Sequence, residues 1–122
     1  FPAIHAWERN LNGKQLPGFT PCGPVLVSKD EIKDPHNLQM TLTLNGEVMQ
    51  STKTDDMIFQ LPELISYYSQ WYQFNPGDIV TTGTPAGVGF GRDPKVFMKP
   101  GDIVEVEIEG IGKLSNTVVE SN

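Results

Sequence analysis

The residues with the most chemical promise sit in one glycine-rich run, Thr81-Thr82-Gly83-Thr84-Pro85-Ala86-Gly87-Val88-Gly89. Hydroxyls at a strand end, beside backbone that a ligand can approach closely, offer a place for a carboxylate or carbonyl oxygen. A tight connection between two elements accounts for the same residues. The run is not a phosphate loop, because the Gly-Lys-Ser/Thr ending is missing, and Gly87-Val88-Gly89-Phe90-Gly91 lacks the dinucleotide spacing. Glu105 and Glu107 have the form of a hard-cation pair, two residues apart on a strand and so on one face. That face is opposite Val104, Val106 and Ile108, and a solvated outer face accounts for both and for Glu109. Asp55 and Asp56 would point to opposite sides of an extended chain, and Glu63 suits the positive end of a helix dipole.

A Ser-His-Asp arrangement needs a histidine beside its nucleophile. His36 falls in the turn Asp34-Pro35-His36-Asn37, where exposure to solvent is expected, and His5, two residues before Trp7, is placed to line a pocket. Cys22, between Pro21 and Gly23, has no neighbouring charge in sequence to activate it and is expected to be a buried structural thiol.

Positioning these residues requires a β-rich body. Residues 1–24 are so densely punctuated by Asn, Gly and Pro that they read as an irregular lead-in to the body at 25–122. Val25-Leu26-Val27 reads as a short buried strand. Leu38, Met40, Leu42 and Leu44 alternate with polar residues, the period of a half-buried strand, and Asn45-Gly46 turns the chain into a return strand at Glu47–Gln50. Leu61, Leu64, Ile65, Tyr68, Trp71 and Tyr72 have helical spacing, with Pro62 in the first turn and Asn75-Pro76-Gly77 as the stop. Asp78–Thr82 reads as a strand entering the glycine run. Val104, Val106 and Ile108 alternate with glutamates, and Gly110-Ile111-Gly112 returns the chain through Leu114–Val119. Pro76-Gly77-Asp78-Ile79-Val80 recurs as Pro100-Gly101-Asp102-Ile103-Val104, a Pro-Gly turn that launches a strand twice.

Composition narrows the classes of function. The 122 residues carry a net charge of −6, with 38% hydrophobic and 20% charged residues, as in a soluble globular domain. An acidic surface disfavours nucleic acid and anionic membranes as partners, and no apolar run reaches the roughly 20 residues of a spanning helix. A single cysteine forms no internal disulfide and argues for a reducing compartment. Phe1-Pro2-Ala3-Ile4 has no signal-peptide character, so the chain is expected to be the back half of a larger protein or to have lost an upstream segment.

Taken in order, Asp34-Pro35-His36-Asn37-Leu38, Asn45-Gly46-Glu47-Val48, Met57-Ile58-Phe59, Pro76-Gly77-Asp78, Thr82-Gly83-Thr84-Pro85-Ala86-Gly87-Val88-Gly89, Lys99-Pro100-Gly101-Asp102 and Gly110-Ile111-Gly112 closely resemble the fumarylacetoacetate hydrolase family. The resemblance runs from Gly23 to Glu120. It implies a mainly β fold, the mixed β-roll of that family with one amphipathic helix, and makes residues 1–122 part of a larger catalytic domain. It also implies a Mg2+- or Mn2+-dependent enzyme that cleaves, decarboxylates or isomerises small 2-oxo or 1,3-diketo acids, the metal chelating the substrate's oxo and carboxylate oxygens as a Lewis acid. Thr84 matches the family threonine that contacts the substrate's carboxylate end, with Gly83 and Pro85 beside it as one wall of the pocket. A homodimer in the cytoplasm, or in the mitochondrial matrix of a eukaryote, is expected, with a small oxo-acid as the partner molecule.

Other family residues do not carry over. The family's Glu-x-Glu metal pair lies upstream of the matched region, so Glu105 and Glu107 are not that pair. Laid on the family pattern through Trp7, Phe1 falls at the metal aspartate, His5 at a substrate-side arginine and Glu8 at a glutamine, which puts His5 and Glu8 near the pocket mouth. The metal ligands are therefore expected outside this chain, which alone would be inactive. A family segment containing an active-site lysine is absent between Gly18 and Phe19, either as a genuine deletion or as a mobile loop not included in this sequence. These departures motivate the alternative of a degenerate, non-catalytic member that serves as a binding or structural module. A small nucleic-acid-binding β-barrel fits the glycine-rich β pattern but not the charge.

Overall fold

The computed structural model describes Lys14 and residues 16–120. Four strands, β1 (Gln39–Leu44), β2 (Glu47–Lys53), β3 (Ile103–Ile108) and β4 (Gly112–Thr117), form one antiparallel sheet in the order β2-β1-β3-β4. One helix, α1 (Leu61–Tyr68), and two 3-10 turns, Thr54–Asp56 and Gly89–Gly91, interrupt the long connection from β2 to β3. The mainly β architecture with a single helix is the one expected.

Alternation sorts the sheet into two faces. Met40, Leu42 and Leu44 stand opposite Ile108, Val106 and Val104, and Val106 stands opposite Leu114, giving a continuous apolar face. On the other face Thr41, Glu107 and Lys113 form one cross-strand row and Thr43, Glu105 and Ser115 the next. Lys113 Nζ lies 3.4 Å from Glu105 and 3.9 Å from Glu107. The glutamates of β3 are thus paired with a lysine on a polar face, as their alternation with valine and isoleucine requires.

The β1–β2 hairpin contains the feature on which the site depends. Asn45 has φ 53° and Gly46 φ 82°, the two positive values of a two-residue turn that follows the strand twist. Leu44 pairs with Glu47 and Thr43 with Val48, but Leu42 then pairs with Gln50, so Met49 is an extra residue, a β-bulge. An unbroken register would set Met49 opposite Leu42 and Gln50 opposite Thr41. The bulge instead carries Gln50 onto the apolar face.

The turn of this hairpin is fastened to the start of β3. Asn45 Nδ2 donates to Asp102 Oδ1 at 2.9 Å, the Ile103 amide donates to Asn45 Oδ1 at 2.9 Å, and the Asn45 amide donates to the Ile103 carbonyl at 2.8 Å. Asp102 Oδ2 accepts from the Lys99 amide at 2.9 Å, which closes the Lys99-Pro100-Gly101-Asp102 turn. The earlier copy folds alike: Asp78 Oδ2 accepts from the Asn75 amide at 2.8 Å, and Gly77 and Gly101 have φ 96° and 93°. Only the second copy launches a strand, because β1 lies beside Ile103–Ile108, whereas Asp78–Thr82 pairs with no strand among the described residues.

Several expectations are corrected by the structure. Asp78–Thr82 is irregular, with Ile79 74% exposed. Val25–Val27 forms no strand, and Leu26 is 99% exposed. α1 ends at Tyr68, followed by a turn at Ser69–Trp71, and Trp71 and Tyr72 are exposed. A helix this short depends on packing its apolar side, and α1 buries none of its residues. Cys22 is exposed rather than buried, in irregular chain flanked by exposed Pro21 and Pro24. His36 is not free in solvent: its Nε2 accepts from the Leu61 amide at 3.2 Å, tying the start of α1 to the segment before β1. Gln60 and Glu63 form the capping box of α1, which confirms a helix-terminal role for Glu63.

Asp102 is largely buried, and the Asn45 amide, then the Lys99 backbone N–H, hold its carboxyl below the ordinary carboxylate range. A depressed folded-state pKa adds stability that is present above the ordinary carboxylate pKa and is lost as pH falls through the lowered value. Asn45→Ala should lower the Tm near neutral pH, on the order of several degrees. The gap from wild type should narrow as the pH is taken below Asp102's own pKa, leaving the pH-independent part that comes from the lost Ile103 contact and the positive φ at residue 45. A gap independent of pH in thermal unfolding from neutral to acid would contradict the assignment.

Candidate functional site

The loop Gly83–Arg92 is docked on the bulge of β2 by two side chains. Gln50 Nε2 donates to Pro85 O at 2.8 Å and to Thr84 Oγ1 at 2.9 Å, with Ala86 O at 3.4 Å. Arg92 Nη2 donates to Met49 O at 2.6 Å and its Nε to Gly87 O at 3.1 Å, so one guanidinium clamps the bulged residue to the loop. The 3-10 turn Gly89–Gly91 brings Arg92 back to this position. Gly89 O accepts from the Val96 amide at 3.0 Å, and Lys95 Nζ lies 4.1 Å from the centre of the Phe90 ring.

The glycines follow from this docking. A Cβ on Gly87 would overlap the Met49 carbonyl, and Gly87 has φ 104°, a region L side chains rarely adopt. A Cβ on Gly89 would overlap the Val96 carbonyl. Gly83 has nothing within 4 Å of a built Cβ. The glycines of this run therefore differ in role: Gly87 and Gly89 permit close packing, and Gly83 leaves open space beside Thr84.

Thr84 and Gly83 are exposed and Pro85 is half-buried, so the threonine hydroxyl stands at the surface of a docked loop. Pro85 has no N–H, and its carbonyl is taken by Gln50. Of the five residues expected at a ligand site, the structure brings together Gly83, Thr84 and Pro85. His5 and Glu8 lie outside the described residues, as does Phe1.

No group of three or more His, Cys, Asp or Glu that could hold a metal ion occurs among the described residues. Glu105 and Glu107 are engaged with Lys113. Asp55 and Asp56 lie in a 3-10 turn, where Asp56 Oδ2 accepts from Thr52 Oγ1 at 3.1 Å. The described residues therefore do not fit a divalent cation. Where the family's lysine segment would fall, the Phe19 amide donates to Leu16 O at 3.0 Å and Gly18 has φ 80°, a closed turn.

Gln50 and Arg92 went unremarked in the sequence because neither belongs to a motif. Arg92, the only arginine among the described residues, directly follows the glycine run, and that position was its signal. Gln50 carried no signal, because regular alternation sends it to the polar face.

Gly87→Ala should destabilise the protein by about 1–3 kcal/mol, through overlap and a disfavoured backbone. It should also speed proteolytic cleavage within residues 83–92. Gly83→Ala, strained by its φ of 94° but with no atom within 4 Å of the added Cβ, should spare the docking contacts and be cleaved more slowly than Gly87→Ala. Urea unfolding and limited proteolysis check both; equal cleavage of the two variants would contradict the docking.

Comparison with known proteins bears on the family and the fold. The pattern described as "Fumarylacetoacetate (FAA) hydrolase C-terminal" matches residues 3–119. The chain is 50% identical over 119 residues to bovine (Bos taurus) "Oxaloacetate tautomerase FAHD2A, mitochondrial", covering 93% of this chain and 38% of that protein. Among solved structures, "Fumarylacetoacetate hydrolase (EaFAH)" from psychrophilic Exiguobacterium antarcticum is 37% identical with TM-score 0.88, covering 96% of this chain and 43% of its own. Maleylpyruvate hydrolase from Sphingobium sp. SYK-6, in complex with manganese(II) ion and pyruvate, is 34% identical with TM-score 0.76, covering 85% of this chain and 37% of its own. The chain thus spans well under half the length of these relatives. With nearly all of its residues matched by the family pattern and its sheet superposing on family structures, the chain belongs to the fumarylacetoacetate hydrolase family.

Proposed function

We propose that this chain supplies the carboxylate-binding wall of an enzyme that acts on small 2-oxo or 1,3-diketo acids, and that Thr84 is its ligand contact. The observation that carries the reading is the docked loop, which presents a threonine hydroxyl on backbone fixed at Pro85, Gly87 and Arg92. A hydroxyl held on rigid backbone orients a carboxylate with little ordering cost at binding. The open space at Gly83 admits the ligand beside it. The family resemblance assigns His5 and Glu8 to the mouth of this wall, although both lie outside the described residues. The reaction is a tautomerisation, isomerisation, decarboxylation or hydrolysis of the oxo-acid; relatives named oxaloacetate tautomerase and maleylpyruvate hydrolase support the first and the last of these.

The manganese and pyruvate of one relative support a divalent cation, Mg2+ or Mn2+, in the whole protein. The described residues of this chain do not assemble its ligands, and the chain by itself is inactive. The whole protein works as a homodimer in the mitochondrial matrix or the cytoplasm; the mitochondrial assignment is supported by the name of the bovine relative. No helix of the described residues is long and apolar enough to cross a membrane, and neither nucleic acid nor a membrane is a partner.

A second reading, a non-catalytic member that keeps the fold as a binding or structural module, is motivated by the absence of the family's lysine segment between Gly18 and Phe19, where the chain makes a closed turn. Activity separates the two. In the full natural protein with Mg2+, Thr84→Val should lower kcat/KM for oxaloacetate or an acylpyruvate by about ten- to a hundredfold, the loss of one or two hydrogen bonds to a charged group. Thr84→Ser should retain most of the activity. The 122 residues alone should show none. Turnover by those residues alone, or an unchanged Thr84→Val enzyme, would overturn the first reading. A full natural protein that neither turns over these acids nor binds Mn2+ would establish the second.

A further inference from the structure

We propose that Gln50 is a positioning residue that fixes the Thr84 hydroxyl as a hydrogen-bond donor, so that the loop selects ligands presenting an acceptor oxygen at that point. The inference rests on the reading of Thr84 as the carboxylate contact and adds what sets its polarity. Two atoms close to the Gln50 side-chain terminus, Pro85 O at 2.8 Å and Ala86 O at 3.4 Å, are carbonyl oxygens, which only accept. The end of the amide facing them must therefore be the NH2 group. The same nitrogen lies 2.9 Å from Thr84 Oγ1, so the hydroxyl accepts there. A threonine hydroxyl has one hydrogen, and a hydroxyl already accepting from Gln50 directs that hydrogen away from it. Thr84 is exposed, so the hydrogen is offered to whatever enters the site.

Gln50 reaches this position only because of the Met49 bulge, which moves it from the row of Thr41 to the row of Leu42. A polar amide on the apolar face is costly unless its donors are used, and here both hydrogens are used on the loop. Arg92 holds the bulged Met49 carbonyl at 2.6 Å and so keeps Gln50 in register. The loop is thereby biased towards ligands with a carboxylate oxygen and against those with an N–H at the same place.

The test uses the full natural protein with Mn2+ and compares oxalate with oxamate, in which an amide replaces one carboxylate, by titration calorimetry. Gln50→Glu keeps the size of the side chain but, when ionised, presents only acceptors, so it no longer donates to Pro85 O or to Thr84 Oγ1 and the Thr84 hydroxyl is no longer held as a donor to the ligand. The oxalate-to-oxamate affinity ratio should fall about tenfold, the equivalent of one hydrogen bond to a charged group. The same substitution in a Thr84→Val background measures the effect of the added charge alone, and there the fall should be much smaller. Should Gln50→Glu fail to fold, Gln50→Leu carries the test: oxalate weakens when residue 84 is threonine and is unaffected when it is valine. An equal fall in both backgrounds, or an unchanged ratio in the threonine background, would overturn the role of Gln50. Unchanged oxalate binding by Thr84→Val alone would instead remove the reading of Thr84, and this inference with it.

Discussion

One extra residue in β2 organises the rest of the site. Without Met49 as a bulge, the hairpin begun at Asn45-Gly46 would keep a plain register and set Gln50 among the threonines and glutamates of the polar face. With it, a carbonyl and an amide side chain from adjacent residues both meet the loop, and the loop answers each with a matched group. Arg92 takes the carbonyl, while Thr84 and Pro85 take the amide. Gly87 is small because that same carbonyl occupies the space a side chain would need. The hydrogen bond at Thr84 and the sterics at Gly87 thus follow from one change of register.

The fold around this bulge is held by polar fastenings more than by a core. Met49 is the only buried hydrophobic residue among those described, at 9% exposure, while the apolar row from Met40 to Leu114 is half-buried. A sheet normally covers its apolar face with a second layer, and full burial of one large apolar side chain contributes about 1.5–3 kcal/mol. Much of that contribution is unrealised among the described residues, with Leu26, Ile58 and Ile79 largely exposed. What defines the arrangement instead is a short set of directed contacts: Asn45 with Asp102 and Ile103, His36 with the start of α1, and Gln50 and Arg92 with the loop.

This division explains what the amino-acid sequence made legible. Elements fixed by local chemistry were readable: the Asn45-Gly46 turn, the alternation in β1 and β3, the capping at Gln60 and Glu63, and the repeated Pro-Gly-Asp turn. Elements that need a distant surface to pack on were not, and Val25–Val27, Asp78–Thr82 and the last turn of the expected helix all read as more regular than they are. At the site, the motif and the family resemblance single out Thr84, with Gly83 and Pro85 beside it. Gln50 was hidden by a register shift that no pattern of period two can signal. His36 was hidden because its partner, the Leu61 amide, is 25 positions away in sequence.

The most direct measurement is a crystal structure of the full natural protein with oxalate bound. The account predicts a ligand carboxylate oxygen about 2.7 Å from Thr84 Oγ1, with Gln50 Nε2 still on that hydroxyl and on the Pro85 carbonyl. A carboxylate bound away from Thr84, or a Gln50 side chain turned off the loop while the ligand is in place, would contradict it.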